Sequence, residues 1–307
     1  MKTDRRSLAG LRLGISISES KIDVPYRVDS RFVNELTVRF ASTWLNAGGQ
    51  VALGHRWQAG GVMQQVSHWS REFQWIDWDA AEEAAAGAAA QILNLLAWPD
   101  AAPLWDATER EEMAGIFDCR VVAPPGIPTD GLDPASDLGK FARIRALSAM
   151  RQELATVCDA RVCIGGASGN VERRLPGVLE EALFAYKAGK PLYISAALGG
   201  ASKAMADAIL QRRLSDEARE LFFTPPLMVP IITSQSADHA LQPIELASTA
   251  DDWSALSEFQ SIQITRLAAQ AGLLEDELLN LLTTPEPQRV MGWVIAGMGR
   301  LIAQRGS

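Results

Sequence analysis

The chain predicts an α/β fold: an open parallel sheet with helices on both faces, followed by a C-terminal helical extension. Three observations predict it. Apolar runs of strand length alternate with helical patterns from residue 11 to residue 212. Glycine- or serine-rich segments fall where strands give way to helices, and the last third is helical in pattern without such segments. Alternation of this kind belongs to a parallel sheet covered on both faces.

Leu11, Leu13, Ile15 and Ile17 alternate with small or polar residues, which predicts a first strand over 11–18 ending in Glu19-Ser20. Ser30 is placed to cap a helix over Arg31–Ala47, where Phe32, Val33, Leu36, Phe40, Trp44 and Leu45 recur at helical spacing and Gly48-Gly49 end it. Gln50–Gly54 reads as a second strand, so the first three elements form a βαβ unit with parallel strands. Val62–Trp75 has a helical pattern. Ala84–Trp98 is the most apolar stretch and reads as a buried helix; Gly87, Gln91 and Asn94 interrupt it, and it is shorter than the roughly 20 apolar residues a membrane span takes.

Arg120–Pro124 reads as a strand, and the four prolines and two glycines of 124–134 as a loop with turns. A helix over Phe141–Cys158 leads into a strand over Arg161–Ile164 and the loop Gly165–Asn170. Pro176-Gly177 opens a helix through Lys187, Pro191–Ser195 is a strand, and Gly199-Gly200 opens a helix to Arg212. Asp251–Ala271, Glu275–Leu282 and Pro287–Ala303 read as three helices, with no clear strand after Ile231-Ile232. Residues 1–212 are thus expected to form the core and 213–307 an extension packed on it. On the last helix, Val290, Trp293, Val294, Gly297, Met298 and Leu301 form an apolar stripe for the sheet or for another subunit.

Composition narrows the function. The 307 residues are 48% hydrophobic and 21% charged with net charge −8, which excludes a disordered chain and disfavours a nucleic-acid partner. Cys119, Cys158 and Cys163 form no CxxC pair, so neither a disulfide framework nor a zinc site is expected, and a cytoplasmic location fits. His68 and His239 have no spaced partner, so no metal is expected. No GxSxG elbow or full GxGxxG occurs, which argues against a serine hydrolase and a conventional nicotinamide dehydrogenase. Trp57, Trp69, Trp75 and Trp78 crowd one region; packing accounts for them, although Trp57 has the placement to stack on a base.

Four segments fall at the predicted strand-to-helix turns: Ser16–Ser20, Gly54–Gly61, Gly165–Asn170 and Ala197–Ser202. In a parallel sheet these turns share one edge, where ligands bind and helix N-termini favour phosphate. Ligand contact is therefore expected from Ser16, Ser18, Glu19, Ser20, Gly54, His55, Gly165, Gly166, Ser168, Gly169, Gly199 and Gly200, and from Gly177 at the start of a further helix; the glycines also read simply as tight turns. Arg173 and Arg174 are placed to close over phosphates or to stand in solvent.

The stretch Arg151–Gly166, followed by Pro176-Gly-Val-Leu-Glu-Glu-Ala-Leu183 and the later Lys190-Pro-Leu-Tyr193 strand with Gly199-Gly200, resembles the SLOG superfamily. That group includes lonely-guy phosphoribohydrolases, DNA-processing protein A, the TRPM-channel N-terminal region and prokaryotic nucleotide-signal sensors. Ile15–Ser20 is similar to the first-strand motif of the conflict-system members, and Gly272–Asn280 with Gly297 to their C-terminal helices.

The resemblance implies a Rossmann-like core that binds a nucleotide. It makes Arg151 with Glu180 or Glu181 the nearest match to the hydrolases' catalytic pair, and Gly165, Gly166 and Gly169 the match to their phosphate loop. Chemically, an arginine neutralises phosphate while a carboxylate stabilises an oxocarbenium-like centre or orients water. The same residues also make sense as a structural ion pair at a helix start. Ile164 stands where the hydrolases have proline, no threonine follows Gly169, and 171–175 separate the glycine loop from Pro176.

These departures favour a sensor of a nucleotide-derived molecule, of the ADP-ribose, cyclic ADP-ribose or NAD kind, in a bacterial antiviral or conflict system. The alternative is a nucleotide N-glycosidase. No cofactor beyond that ligand and no membrane partner is expected; a homo-oligomer and a separate effector protein are. Residues 140–174 hold seven basic residues against three acidic ones, so an acidic chain gathers positive charge around its proposed glycine loop.

Overall fold

The computed structural model describes residues 8–19, 29–56, 60–74, 91–101, 108, 111, 113, 115–167, 175–214, 216 and 252–305. Six strands form one parallel sheet in the order β4-β3-β2-β1-β5-β6. They are β1 (Arg12–Ser18), β2 (Gln50–Leu53), β3 (Ile92–Ala97), β4 (Phe117–Val122), β5 (Ala160–Gly165) and β6 (Leu192–Ser195). Between and after them run α1 (Ser30–Asn46), α2 (Val62–Gln74), α3 (Asp137–Val157), α4 (Gly177–Lys187), α5 (Gly200–Gln211), α6 (Asp252–Gln260), α7 (Ile264–Ala271), α8 (Glu275–Thr283) and α9 (Val290–Arg305).

Successive residues of a strand point to opposite faces, so Leu13, Ile15 and Ile17 share one face of β1 and Gly14, Ser16 and Ser18 the other. The apolar set joins a core with Val33, Leu36, Phe40 and Trp44 of α1. Trp44 is fully buried, and its indole Nε1–H donates to Leu11 O at 3.2 Å. Over the other face, Ala146, Met150 and Leu154 of α3 pack with Ala52, Leu93, Leu95 and Ala97. Both faces of the sheet are therefore covered, as crossover helices in a parallel sheet require.

Five elements depart from the sequence expectations, one of them β4, which spans Phe117–Val122 rather than Arg120–Pro124. Asp29, not Ser30, caps α1: its carboxylate accepts from Phe32 N at 2.9 Å. Ile92–Ala97 is a fully buried strand rather than part of a helix; a short apolar run without alternation fits either until the sheet demands one. Helix α3 begins at Asp137, capped by the Ser136 hydroxyl accepting from Gly139 N at 3.0 Å, four residues ahead of Phe141. The single helix expected over Asp251–Ala271 is two, α6 and α7, because Ser261 and Ile262 close a turn on Glu258 and Phe259.

Helices α6–α9 pack on β6, α4 and α5 and share the core of the sheet. The Tyr193 hydroxyl of β6 donates to Ala271 O at 2.8 Å, and Gln270 Nε2 to Lys190 O at 2.6 Å. The stripe on α9 faces inward: Val290, Val294, Gly297 and Met298 are buried, while Trp293 and Leu301 are half-buried against the same core. Ile231-Ile232, Trp75, Trp78, His239 and residues 84–90 lie outside the described residues, as do residues 217–251 of the expected extension. Among the described residues no helix is long and apolar enough to cross a membrane.

Candidate functional site

The chain builds outward from β1 through β2 and β3 to β4, then crosses back to lay β5 on the other side of β1. The direction of winding reverses between β1 and β5, and in such sheets ligands bind beyond the carboxyl ends of the strands at that point. Ser18 and Gly165 are paired there, at the ends of the two strands.

The polar half of the β1 alternation faces this place. Gly14 leaves room for Arg161 of β5: a Cβ there would lie 2.7 Å from Arg161 Nη2 and 2.9 Å from Cys158 Sγ. Arg161 is buried at 1% exposure, in a strand whose other side chains are small or apolar. Its Nη1 donates to Ser16 Oγ and to Glu181 Oε2, both at 2.7 Å, and the Ser16 hydroxyl donates to the same Glu181 oxygen.

A second ion pair lies beside the first. Arg151 Nη1 of α3 donates to Glu180 Oε2 at 2.5 Å, and the Ser148 hydroxyl donates to Glu180 Oε1 at 2.5 Å. Arg151 Nε stands 3.8 Å from Glu181 Oε1 and is buried without a hydrogen-bond acceptor among the described residues. Gly177 opens the way for the guanidinium, since a Cβ there would lie 2.8 Å from Arg151 Nη2. Two arginines and two glutamates thus form one electrically balanced, largely buried cluster. Removing one member of such a cluster leaves an uncompensated charge, at a cost of about 3–5 kcal/mol.

Above the cluster is a cavity of about 280 Å³, at the small end of the range for ligand sites. Ser16, Ser18, Gly54, His55, Arg151, Gly177 and Glu181 line it, with Ile15, Ile17, Ala167, Leu175, Pro176 and Val178. Helix α4 starts at its wall with no side-chain cap among the described residues, so its first N–H groups and the positive end of its dipole are directed there. His55 is half-buried, and desolvation lowers its pKa against the opposing pull of Glu181, which favours the neutral imidazole. The buried Asn94 holds the backbone of His55 from both sides, accepting from His55 N at 3.1 Å and donating to His55 O at 2.8 Å.

The other expected site residues divide. Glu180 turns to Arg151 and Ser148 and is not among the residues lining the cavity. Gly165 and Gly166 form the turn itself, with φ of +72° and +98°, and Gly166 N donates to Ser18 O at 3.0 Å. Gly199 and Gly200 buttress that turn from α5, where Ala201 N donates to Gly166 O at 3.3 Å; they do not line the cavity. Glu19 is exposed outside it. Ser20, Trp57, Ser168, Gly169, Arg173 and Arg174 lie outside the described residues.

Arg161, Ser148 and Asn94 are the polar residues that sequence reasoning missed. A signal for Arg161 was present: a charge inside a fully buried strand must have a partner. His68 is exposed, and among the described residues no cluster of His, Cys, Asp and Glu is arranged for a metal ion. Burial raises the Cys158 thiol and pushes Cys163 up to about 12, so both are neutral packing groups rather than nucleophiles.

The fold and cleft define a Rossmann-like α/β protein with a polar site at its switch point. The family described as SLOG cluster2 matches residues 7–280, and the chain belongs to that family. Among solved structures, the X-ray structure of TM1055, a structural genomics target, is similar at 17% identity over 68% of this chain and 88% of that chain, with a TM-score of 0.34. No curated protein matches the chain.

Proposed function

We propose that the cleft binds a nucleotide-derived small molecule, of the ADP-ribose, cyclic ADP-ribose or NAD kind, and that the protein acts as its sensor. One observation carries this reading: Arg151, whose buried Nε lacks an acceptor among the described residues, meets the start of α4, which no described side chain caps, in the switch-point cavity. That is a donor-rich place for a phosphate. Membership of a SLOG family supports nucleotide-related binding or processing. A role in an antiviral or conflict system, with output through self-assembly or a separate effector protein, completes the proposal.

A second reading, cleavage of a nucleotide N-glycosidic bond, is favoured by Glu181, a carboxylate in the cavity wall close to Arg151. It would stabilise positive charge at the ribosyl carbon or orient water, with Arg151 on the phosphate.

One experiment tests both. The protein is incubated with ADP-ribose, cyclic ADP-ribose isomers, NAD and AMP while thermal stability and release of free base are followed. A ligand at about 100 times its Kd stabilises the fold by about 2.7 kcal/mol, a rise of about 4 °C for a chain of this size. Stabilisation without turnover is the expected result, and base release would move the assignment to the hydrolase. No shift with any nucleotide sinks both readings. Arg151→Gln, which retains donors toward Glu180, should weaken binding at least tenfold in a folded protein; unchanged affinity removes Arg151 from the phosphate site.

A further inference from the structure

Arg161 is too deeply buried to touch a ligand, at 1% exposure and behind the cavity wall. Its hydrogen bonds nevertheless end on Glu181, a residue of that wall. Oxygen Oε2 of Glu181 is held by two donors, Arg161 Nη1 at 2.7 Å and the Ser16 hydroxyl. Oxygen Oε1 has no hydrogen bond among the described residues, and Arg151 Nε stands 3.8 Å from it. The two oxygens of one carboxylate are thus used differently, one anchored below the cavity and one left as an acceptor.

We propose that Arg161 is a positioning residue: with Ser16 it fixes Oε2 of Glu181, so that Oε1 is presented to a ribose hydroxyl while Arg151 remains available to phosphate. This rests on the nucleotide-binding reading above and names the part of the nucleotide that Glu181 recognises. An ionised carboxylate only accepts hydrogen bonds, so its complement is a hydroxyl donor. Without Arg161, the nearest cation to Glu181 is Arg151, and the carboxylate turns to it. One change then removes the hydroxyl acceptor and occupies the phosphate-binding cation. Gly14 belongs to the device, because any side chain there would displace the Arg161 guanidinium.

The test compares AMP with 2′,3′-dideoxy-AMP by calorimetry in the wild type, Arg161→Met, Arg161→Lys and Ser16→Ala, together with ligand-free crystal structures of the same proteins. A site built to bond a hydroxyl rejects the analogue that lacks it, so the wild type should prefer AMP by about tenfold or more. The ratio should fall toward one in Arg161→Met, fall partway in Ser16→Ala, and recover in part in Arg161→Lys. A purely structural role for Arg161 would weaken both nucleotides equally and leave the ratio unchanged, which overturns the proposal; so does a wild-type ratio of one.

If the wild type binds neither nucleotide, it is the nucleotide-binding reading that fails, and the ligand-free structures decide the role of Arg161. A Glu181 carboxylate swung onto Arg151 in Arg161→Met upholds positioning, and an unmoved one refutes it. Should Arg161→Met not fold, Ser16→Ala and Arg161→Lys carry the same comparisons.

Discussion

Two glycines with nearly the same backbone angle show how a residue's surroundings decide its worth. Gly165 has φ +72° and Gly189 has φ +69°, a region that costs a residue with a side chain about 1–2 kcal/mol. A Cβ on Gly189 would meet no atom within 4 Å, whereas one on Gly165 would lie 2.2 Å from Ser18 O. Gly165→Ala should therefore lose clearly more stability in urea unfolding than Gly189→Ala, and only the former should weaken nucleotide binding, since Ser18 lines the cavity. Equal losses would mean that the β1–β5 end yields freely. At this scale small polar turns at strand ends pointed to Ser16, Ser18, Gly54 and His55, and the resemblance to SLOG proteins to Arg151, Gly177 and Glu181; the structure sets all seven around one cavity. The partner of Arg161 was not legible: Ser16 lies 145 residues away, and only the pairing of β1 with β5 brings the two together. The division of labour between Glu180 and Glu181 was also illegible, since it depends on where α4 sits against α3 and β1.

Elements were read well where their ends carry chemistry of their own. Pro176-Gly177 and the Gly199-Gly200 pair start α4 and α5 as expected. Strand β3 was misread because all six of its residues are buried, which removes the alternation that marks a half-exposed strand. The C-terminal helices offer a test of element docking. Arg300 of α9 grips Glu277 of α8 through Nη1 and Nη2, the Nη2 bond being 2.7 Å, and Nη1 also donates to Gly272 O at 3.1 Å. The Arg300 hydrogen bonds, helped by Leu274 N, lower the Glu277 carboxyl from its ordinary 4.5 to about 2. A carboxyl depressed in the folded state stabilises it fully above the ordinary value and loses that contribution as pH falls toward the folded one. The melting-temperature gap between wild type and Arg300→Gln should thus be constant above about pH 5.5 and shrink steadily from there to about pH 2.5. A gap that does not change with pH would show that Arg300 acts by packing alone.

At the scale of the whole molecule, helices α6–α9 complete the sheet core. Phe259, Leu267, Leu281, Leu282 and Val294 are fully buried in one cluster with Tyr193 and Ile194 of β6. The contact at Gly297 is close: a Cβ there would lie 2.3 Å from Ala271 O and 2.7 Å from the Tyr193 hydroxyl, so α9, α7 and β6 meet with no space for a side chain. The sequence made the C-terminal helices legible as elements, but their amphipathic stripe fits a sheet or another subunit equally well, and only the fold shows Val290, Val294 and Met298 turned into the core. A shared core couples the two regions energetically, because opening the α7–α9 contact exposes β6, which pairs with the site strand β5. The protein should accordingly melt in a single transition whose calorimetric and van't Hoff enthalpies agree, and a bound nucleotide should raise that transition as a whole. An extension that merely rests on the sheet would melt separately. It would give a calorimetric enthalpy well above the van't Hoff value and an early transition that the nucleotide does not move.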